Sequence, residues 1–141
     1  MLPIKCISLR RADRMRKGLA TVELAICLPV LVIVVLGSIE ATDAIFLKQR
    51  LTAAAYEGAR SATTQGKTSA MATTAANNII TQFGISGSSV TITPTVTITT
   101  PAGTQITVIV NAPLSSNMCI GPFIIGKTIT NMTAQVVMVH Q

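Results

Sequence analysis

Residues 14–40 read Arg14-Met-Arg-Lys-Gly18-Leu-Ala-Thr-Val-Glu23-Leu-Ala-Ile-Cys-Leu-Pro29-Val-Leu-Val-Ile-Val-Val-Leu-Gly-Ser-Ile-Glu40, and this stretch decides how the chain is organised. From Gly18 to Ile39 there are 22 residues, and Glu23 is the single charged one among them. As a helix at about 1.5 Å per residue, that is enough to cross the roughly 30 Å of hydrocarbon in a bilayer. Pro29 lies inside the segment, where it removes one backbone donor, and a local kink is expected there. The lone carboxylate is the unusual element. An ionised carboxylate in hydrocarbon costs at least about 2–3 kcal/mol, so Glu23 asks for a functional reason.

Charge is distributed unevenly around this stretch. Of the eleven Lys and Arg residues, Lys5, Arg10, Arg11, Arg14, Arg16 and Lys17 precede Gly18, and only Asp13 opposes them. Residues 19–141 then carry five basic and four acidic side chains, close to neutrality. The net charge of +6 therefore belongs to the leader. A basic cluster can bind nucleic-acid phosphate. Placed directly before an apolar segment, it is better explained by topology, because cytoplasmic flanks carry the Lys/Arg excess. The expected orientation has the amino terminus inside and the remainder outside, with no nucleic-acid partner.

Three readings fit the apolar segment. A secretory signal has an apolar core of about 7–15 residues followed by a small-residue cleavage site. Here the run is longer and reaches Glu40 without an Ala-x-Ala site. A permanent signal anchor explains the length and the charges but not Glu23. Removal of the leader at Gly18, on the cytoplasmic side, explains all three.

The string Gly18-Leu19-Ala20-Thr21-Val22-Glu23 resembles a type IV prepilin cleavage motif. The wider set Arg16-Lys17-Gly18, Thr21-Val22-Glu23-Leu24-Ala25, Leu28-Pro29-Val30-Leu31, Leu36-Gly37 and Ala54-Ala55-Tyr56-Glu57-Gly58-Ala59-Arg60 is similar to TadE-like minor pseudopilins of tight-adherence (Flp-type) pili. The likeness covers about residues 16–60. Leu24 departs from it, since an aromatic more often follows the glutamate. The resemblance implies cleavage between Gly18 and Leu19 by a prepilin peptidase, with Glu23 as the assembly carboxylate. It also implies partners: the assembly platform and ATPase, the major pilin, other minor pseudopilins and the lipid bilayer. No cofactor, metal or small-molecule substrate is implied. The location implied is the cytoplasmic membrane, crossed once, with possible incorporation into an extracellular pilus left open.

Beyond Ile39 the helical pattern continues. Leu47, Leu51, Ala54, Ala55, Gly58 and Ala62 recur at spacings of three and four, so one helix is expected over about 19–64, roughly 70 Å long. Its stripe narrows to small residues at Gly58 and Ala62, which permits close approach of another backbone. Glu57 and Arg60 are placed to pair on the surface. These three, Glu57, Gly58 and Arg60, are either a packing motif or an ordinary solvated turn. Residues 63–70 form a polar break around Gly66. Ser69 is expected to cap a second helix over Ala70–Phe83 that presents Met71, Ala75, Ile79 and Phe83 to a sheet and ends at Gly84.

The last third alternates with period two. Val90, Ile92, Val96 and Ile98 are interleaved with threonines, and Pro94 makes this an edge strand or two short strands. A turn at Thr100–Gly103 leads to a returning strand over Gln105–Asn111, with Ile106, Val108 and Val110 on one face. A loop over 113–127 carries Cys119 and the apolar run 120–125, which is expected to pack on the core, the alternative being that it dips towards the membrane or a partner. A closing strand runs from about Thr128 to Val139. With aromatics only 3% of the chain, the core must be built from Val, Ile, Leu and Ala.

Catalytic patterns are missing from this region. No Asp or Glu follows Glu57, and His140, expected to be an exposed tail residue, is the only histidine. Paired carboxylates and carboxylate-oriented histidine catalysis are excluded within it. Gly126-Lys127-Thr128 lacks the upstream glycine of a phosphate loop. Cys6, Cys27 and Cys119 share no metal or CxxC spacing; Cys27 reads as a small hydrophobe and Cys119 as an unpaired loop thiol. The expected protein is thus α+β and pilin-like, not an enzyme. It comprises a leader (1–18), a transmembrane and shaft helix (19–64, span about 19–39) and an outer head (65–141) with a short helix and a small antiparallel sheet. The alternative is a signal-anchored envelope protein with an outer binding domain and no filament role.

Overall fold

A computed structural model describes residues 9–121, 123 and 125–141. Most of the leader's first half lies outside them. Helix α1 covers Leu9–Thr63, α2 Ser69–Gln82, and a short helix α3 Ile125–Thr128. Strands β1 (Ser89–Thr93), β2 (Gln105–Pro113) and β3 (Asn131–Val139) form one antiparallel sheet in that order. The chain divides at Leu36–Gly37 into two units, each taken by itself. The layout is α+β: a long apolar amino-terminal helix, a second helix and a three-stranded antiparallel sheet.

In the second unit the sheet register follows the alternation in the sequence. Val90 faces Val110 and Ile92 faces Val108 across β1 and β2, while Val108 faces Val136 and Val110 faces Ala134 across β2 and β3. Ile106, Val108, Val110 and Ala112 are buried on one face, and the intervening residues are not. Leu47, Leu51, Ala54, Ala55, Ala59 and Ala62 of α1 join them, as do Leu114 and Val96. Not one aromatic is in this core: Phe46, Tyr56, Phe83 and Phe123 are all exposed. Aliphatic side chains and alanines fill it instead. Arg50 stacks over the Phe83 ring at 5.8 Å, a surface cation–π contact.

Small residues set the spacing between the layers. A Cβ on Gly58 would lie 3.1 Å from Ala76 Cβ and 3.4 Å from Val108 Cγ1, so α1 passes both α2 and β2 with no room for a side chain. The same closeness explains a correction. α2 buries Ala72, Ala76 and Ile80, not the predicted Met71, Ala75, Ile79 and Phe83; Met71 and Phe83 are exposed and Ile79 is only half-buried. The two stripes differ by one position, about 100° around the helix. Methyl groups at 72 and 76 fit beside Gly58, where Met71 would not.

Ser69 also departs from expectation. The residue flanking α2 is Thr68, with no side-chain cap. Ser69 binds the chain after β1 instead: its N–H donates to Val96 O at 3.0 Å and its Oγ accepts from Val96 N–H at 2.6 Å. That explains why Val96, predicted as a strand residue, is buried in a non-strand segment. β1 stops at Thr93 because Pro94 offers no donor to the ladder, and Ile98 is exposed. Gly84 (φ +65°) follows α2 in the left-handed region, where a side chain would be strained.

The head has two ends. At one, the Gly103 N–H donates to His140 O, the His140 N–H to Thr104 O, and the Gln141 N–H to Thr63 O, so the start of β2 lies at the carboxyl end of α1. The far end of β2 leads into residues 114–130.

Gly58→Val should lower the stability of the folded chain by about 1–3 kcal/mol through overpacking against Ala76 and Val108. Urea unfolding followed by circular dichroism in detergent measures it; an unchanged midpoint would mean that the layers are not closely packed there.

Candidate functional site

In the first unit, the chain from Gly18 to Val35 is helical and exposed throughout. The large apolar side chains from Leu19 to Val35 keep 46–68% of their surface accessible. An 18-residue window in this helix reaches a mean hydropathy of 2.7 with none of it buried. The helix is long and apolar enough to cross a membrane. Pro29 lies within it, and the helix continues on both sides.

Gly18 sits inside α1, and an added Cβ there would meet nothing within 4 Å. Packing within this chain therefore does not account for the glycine, in contrast to Gly58. Glycine inside a helix costs about 0.5–1 kcal/mol relative to alanine. Leu19 and Glu23 are four residues apart and share one helix face. Glu23 is exposed among the aliphatic side chains.

In the second unit, the Arg60 guanidinium and the Glu57 carboxylate pair at 3.6 Å, with side chains 69% and 39% exposed. At that exposure the pair contributes only a few tenths of a kcal/mol. Between them Gly58 faces the core, so one turn of α1 presents a charged pair outward and a gap inward.

A second constellation went unrecognised in the sequence. Glu40 is 2% exposed, and its Oε1 accepts from the Phe123 N–H at 2.9 Å. One turn on, Asp43 Oδ2 accepts from the Cys119 N–H at 3.0 Å. Two carboxylates of α1 thus hold the backbone of the loop after β2. The start of that loop is clamped by Asn117. Its Nδ2 donates to Ser86 O (3.0 Å) and Pro113 O (2.7 Å), and its Oδ1 accepts from the Ser86 N–H (2.8 Å). Lys48 Nζ donates to Thr133 O, adding a link from α1 to β3. The available signal was the pair of carboxylates one turn apart, opposite a stretch with no acid of its own.

Two expectations for this region are corrected. The run 120–125 was expected to pack on the core, yet Ile120 is 40% and Phe123 51% exposed. Pro122 and Ile124 lie outside the described residues, as does the side chain of Ile125. The Cys119 and Phe123 amides are the points of attachment, which leaves the side chains of Ile120 and Phe123 free to face outward. His140 was expected to be exposed and is 5% exposed, its N–H and C=O held by Thr104 and Gly103. Its ring nitrogens find no hydrogen-bond partner among the described residues. Cys119 and Cys27 are exposed free thiols. Among the described residues no three His, Cys, Asp or Glu side chains are grouped to hold a metal.

Replacing Glu40 by Ala should free the Phe123 amide. A hydrogen bond to a charged acceptor contributes about 1.5–3 kcal/mol, so amide exchange at Phe123 should quicken at least about tenfold while β2 amides stay protected. Hydrogen-exchange mass spectrometry reads this, and unchanged exchange would mean that Glu40 does not hold the loop.

Residues 18–60 match the family model described as TadE-like protein. Neither the curated proteins nor the solved structures searched include a match. The matched segment starts at Gly18 and ends at Arg60, so it contains the exposed apolar helix, Glu23, both tethering carboxylates and the Gly58 contact. Over residues 18–60, and there alone, this chain is similar to the TadE-like family.

Proposed function

We propose that the chain is the precursor of a minor pseudopilin that serves the building of a tight-adherence pilus. The observation that carries this reading is the coincidence at Gly18. The family match begins there, the basic leader ends there, and an exposed apolar helix with one carboxylate follows. The role is structural, and the partners are a prepilin peptidase, the assembly platform with its ATPase, the major pilin and other minor pseudopilins.

The chemistry at the cut is hydrolysis of the Gly18–Leu19 amide. Water adds, Gly18 leaves as a carboxylate on the leader, and Leu19 becomes a charged amine. Glycine suits the position because the bond must leave the helix and enter a cleft in extended form, which glycine allows at least cost. The new amine lies one helical turn from Glu23. Opposite charges attract strongly where water is excluded, and pairing lowers the cost of burying both. The Glu23 of one subunit is then a partner for the amine of its neighbour, or of its own chain.

Cleavage also removes six of the eleven basic residues and Asp13, which leaves a nearly neutral mature chain. Until then the basic flank holds the amino terminus on the cytoplasmic face and the head outside. In the rival reading, a signal-anchored envelope protein, the leader is retained and the head binds a partner without any filament.

Intact mass spectrometry of the membrane-extracted protein should give a chain starting at Leu19. A mature chain that still contains Arg16 and Lys17 would favour the anchor instead. Glu23→Ala should be cut as efficiently as the native chain, yet appear in sheared pili or in complexes with the other pilins at least about tenfold less, the loss expected for one charge pair in a low-dielectric setting. Equal incorporation would remove the pairing role.

A further inference from the structure

We infer that the loop 118–129 is a second membrane contact, a side-chain anchor that rests on the outer leaflet beside the point where α1 leaves the bilayer. The inference depends on the reading of 19–39 as a membrane span and adds to it a surface of the head, with lipid as the partner.

Position is the first support. The uncharged run ends at Ile39, and the two residues that hold the loop, Glu40 and Asp43, follow within one turn. At about 1.5 Å per residue they lie no more than about 6 Å past the hydrocarbon edge. The headgroup layer is about 5–7 Å thick on each side, so both carboxylates fall inside it. The Phe123 and Cys119 amides, bonded to them at 2.9 and 3.0 Å, lie in the same layer.

Composition is the second support. The loop offers Ile120, Phe123 and Ile129 at 40–51% exposure, and Lys127 beside them is exposed. It contains no acidic residue. Apolar side chains with an adjacent cation are the set that settles in an interface rich in anionic headgroups. Both loop-holding carboxylates spend a lone pair on backbone N–H groups, and Glu40 is buried, which softens their repulsion from anionic lipid.

Attachment is the third. The Phe123 and Cys119 amides are fixed by Glu40 and Asp43, while the side chains of Ile120, Phe123 and Ile129 are not drawn into the core. A loop that served only to cover the core would do the reverse. Ile98 provides a contrast: it is 71% exposed, but its segment lies at the Thr63 end of α1, more than 20 residues along the helix from Glu40.

The test uses the full chain with Cys6, Cys27 and Cys119 replaced by Ser, and single cysteines introduced at Phe123, Ile120, Ile33 or Ile98. Each carries an environment-sensitive fluorophore and is reconstituted in phosphatidylcholine–phosphatidylglycerol vesicles with nitroxide-labelled lipids, either shallow or deep. Ile33 should be quenched by the deep nitroxide. Phe123 and Ile120 should be quenched by the shallow one at least about twofold more than Ile98. In the Glu40→Ala, Asp43→Ala double variant, which removes both acceptor oxygens, the Phe123 label should move toward the Ile98 value. If Ile33 is quenched and Phe123 and Ile120 behave like Ile98, the loop contact is wrong and the span stands. If Ile33 is not quenched, the span fails and the loop contact with it. If the double variant leaves Phe123 fully quenched, the carboxylates do not position the loop, and that part of the inference falls.

Discussion

The constraint on which everything else depends is an apolar helical surface that the fold leaves uncovered. From Leu19 to Val35 the aliphatic side chains stay about half exposed or more, and no residue in the most apolar window is buried. At about 25 cal/mol per Å² of apolar surface, leaving a whole helix of this kind in water would cost more than a small domain's net stability. The surface therefore calls for a cover, either lipid or neighbouring helices of the same kind. A subunit that passes from a bilayer to an assembly would need that property, and it would need Glu23 to distinguish the two settings. In lipid the carboxylate is a cost; next to a neighbour's amine it is a contact.

The head solves a different problem. With four aromatic residues in the chain, all exposed, its core gains stability from close approach and not from large side chains. Gly58, Ala72 and Ala76 let two helices and a sheet approach within van der Waals contact, so that Leu51, Val108, Val110 and Ile106 are fully enclosed. Dispersion in such a core depends on the absence of gaps, which makes it sensitive to a single added methyl group. Gly18 and Gly58, both in α1, thus have opposite explanations. Gly58 has no room for a side chain; Gly18 has room and none of the neighbours that would forbid one.

Much of this was legible in the sequence. The apolar run and the leader's charge are read from composition alone, and the α1 stripe and the alternation in β2 from the periodicities of 3.6 and 2 that burial on one side of an element imposes. The misses share a physical cause: each was decided by a partner far away in the chain. The α2 stripe slipped by one position because the methyl groups of Ala72 and Ala76 count for little in hydropathy yet fit against Gly58, while Met71 is apolar but too large. Ser69 looked like a cap, and its hydroxyl was claimed by Val96. The run 120–125 looked like core because it is apolar, but Ile120 and Phe123 are exposed, and the amides of Phe123 and of Cys119 just before the run are bound by Glu40 and Asp43, far back in the chain. His140 is held by the pairing of its own backbone with residues 103 and 104. The proposed cleavage role of Gly18 and pairing role of Glu23 rest on the sequence motif.

The native cysteines offer a direct reading of which surface is covered. Cys27 and Cys119 are both exposed in the isolated chain, one within the apolar helix and one on the head's loop. Treated in intact membranes with a water-soluble, membrane-impermeant maleimide, Cys119 should be modified and Cys27 left untouched, as peptide mass mapping would show. Modification of Cys27 at a rate comparable to Cys119 would mean that the apolar helix lies in water, and the membrane-held pseudopilin would have to be abandoned.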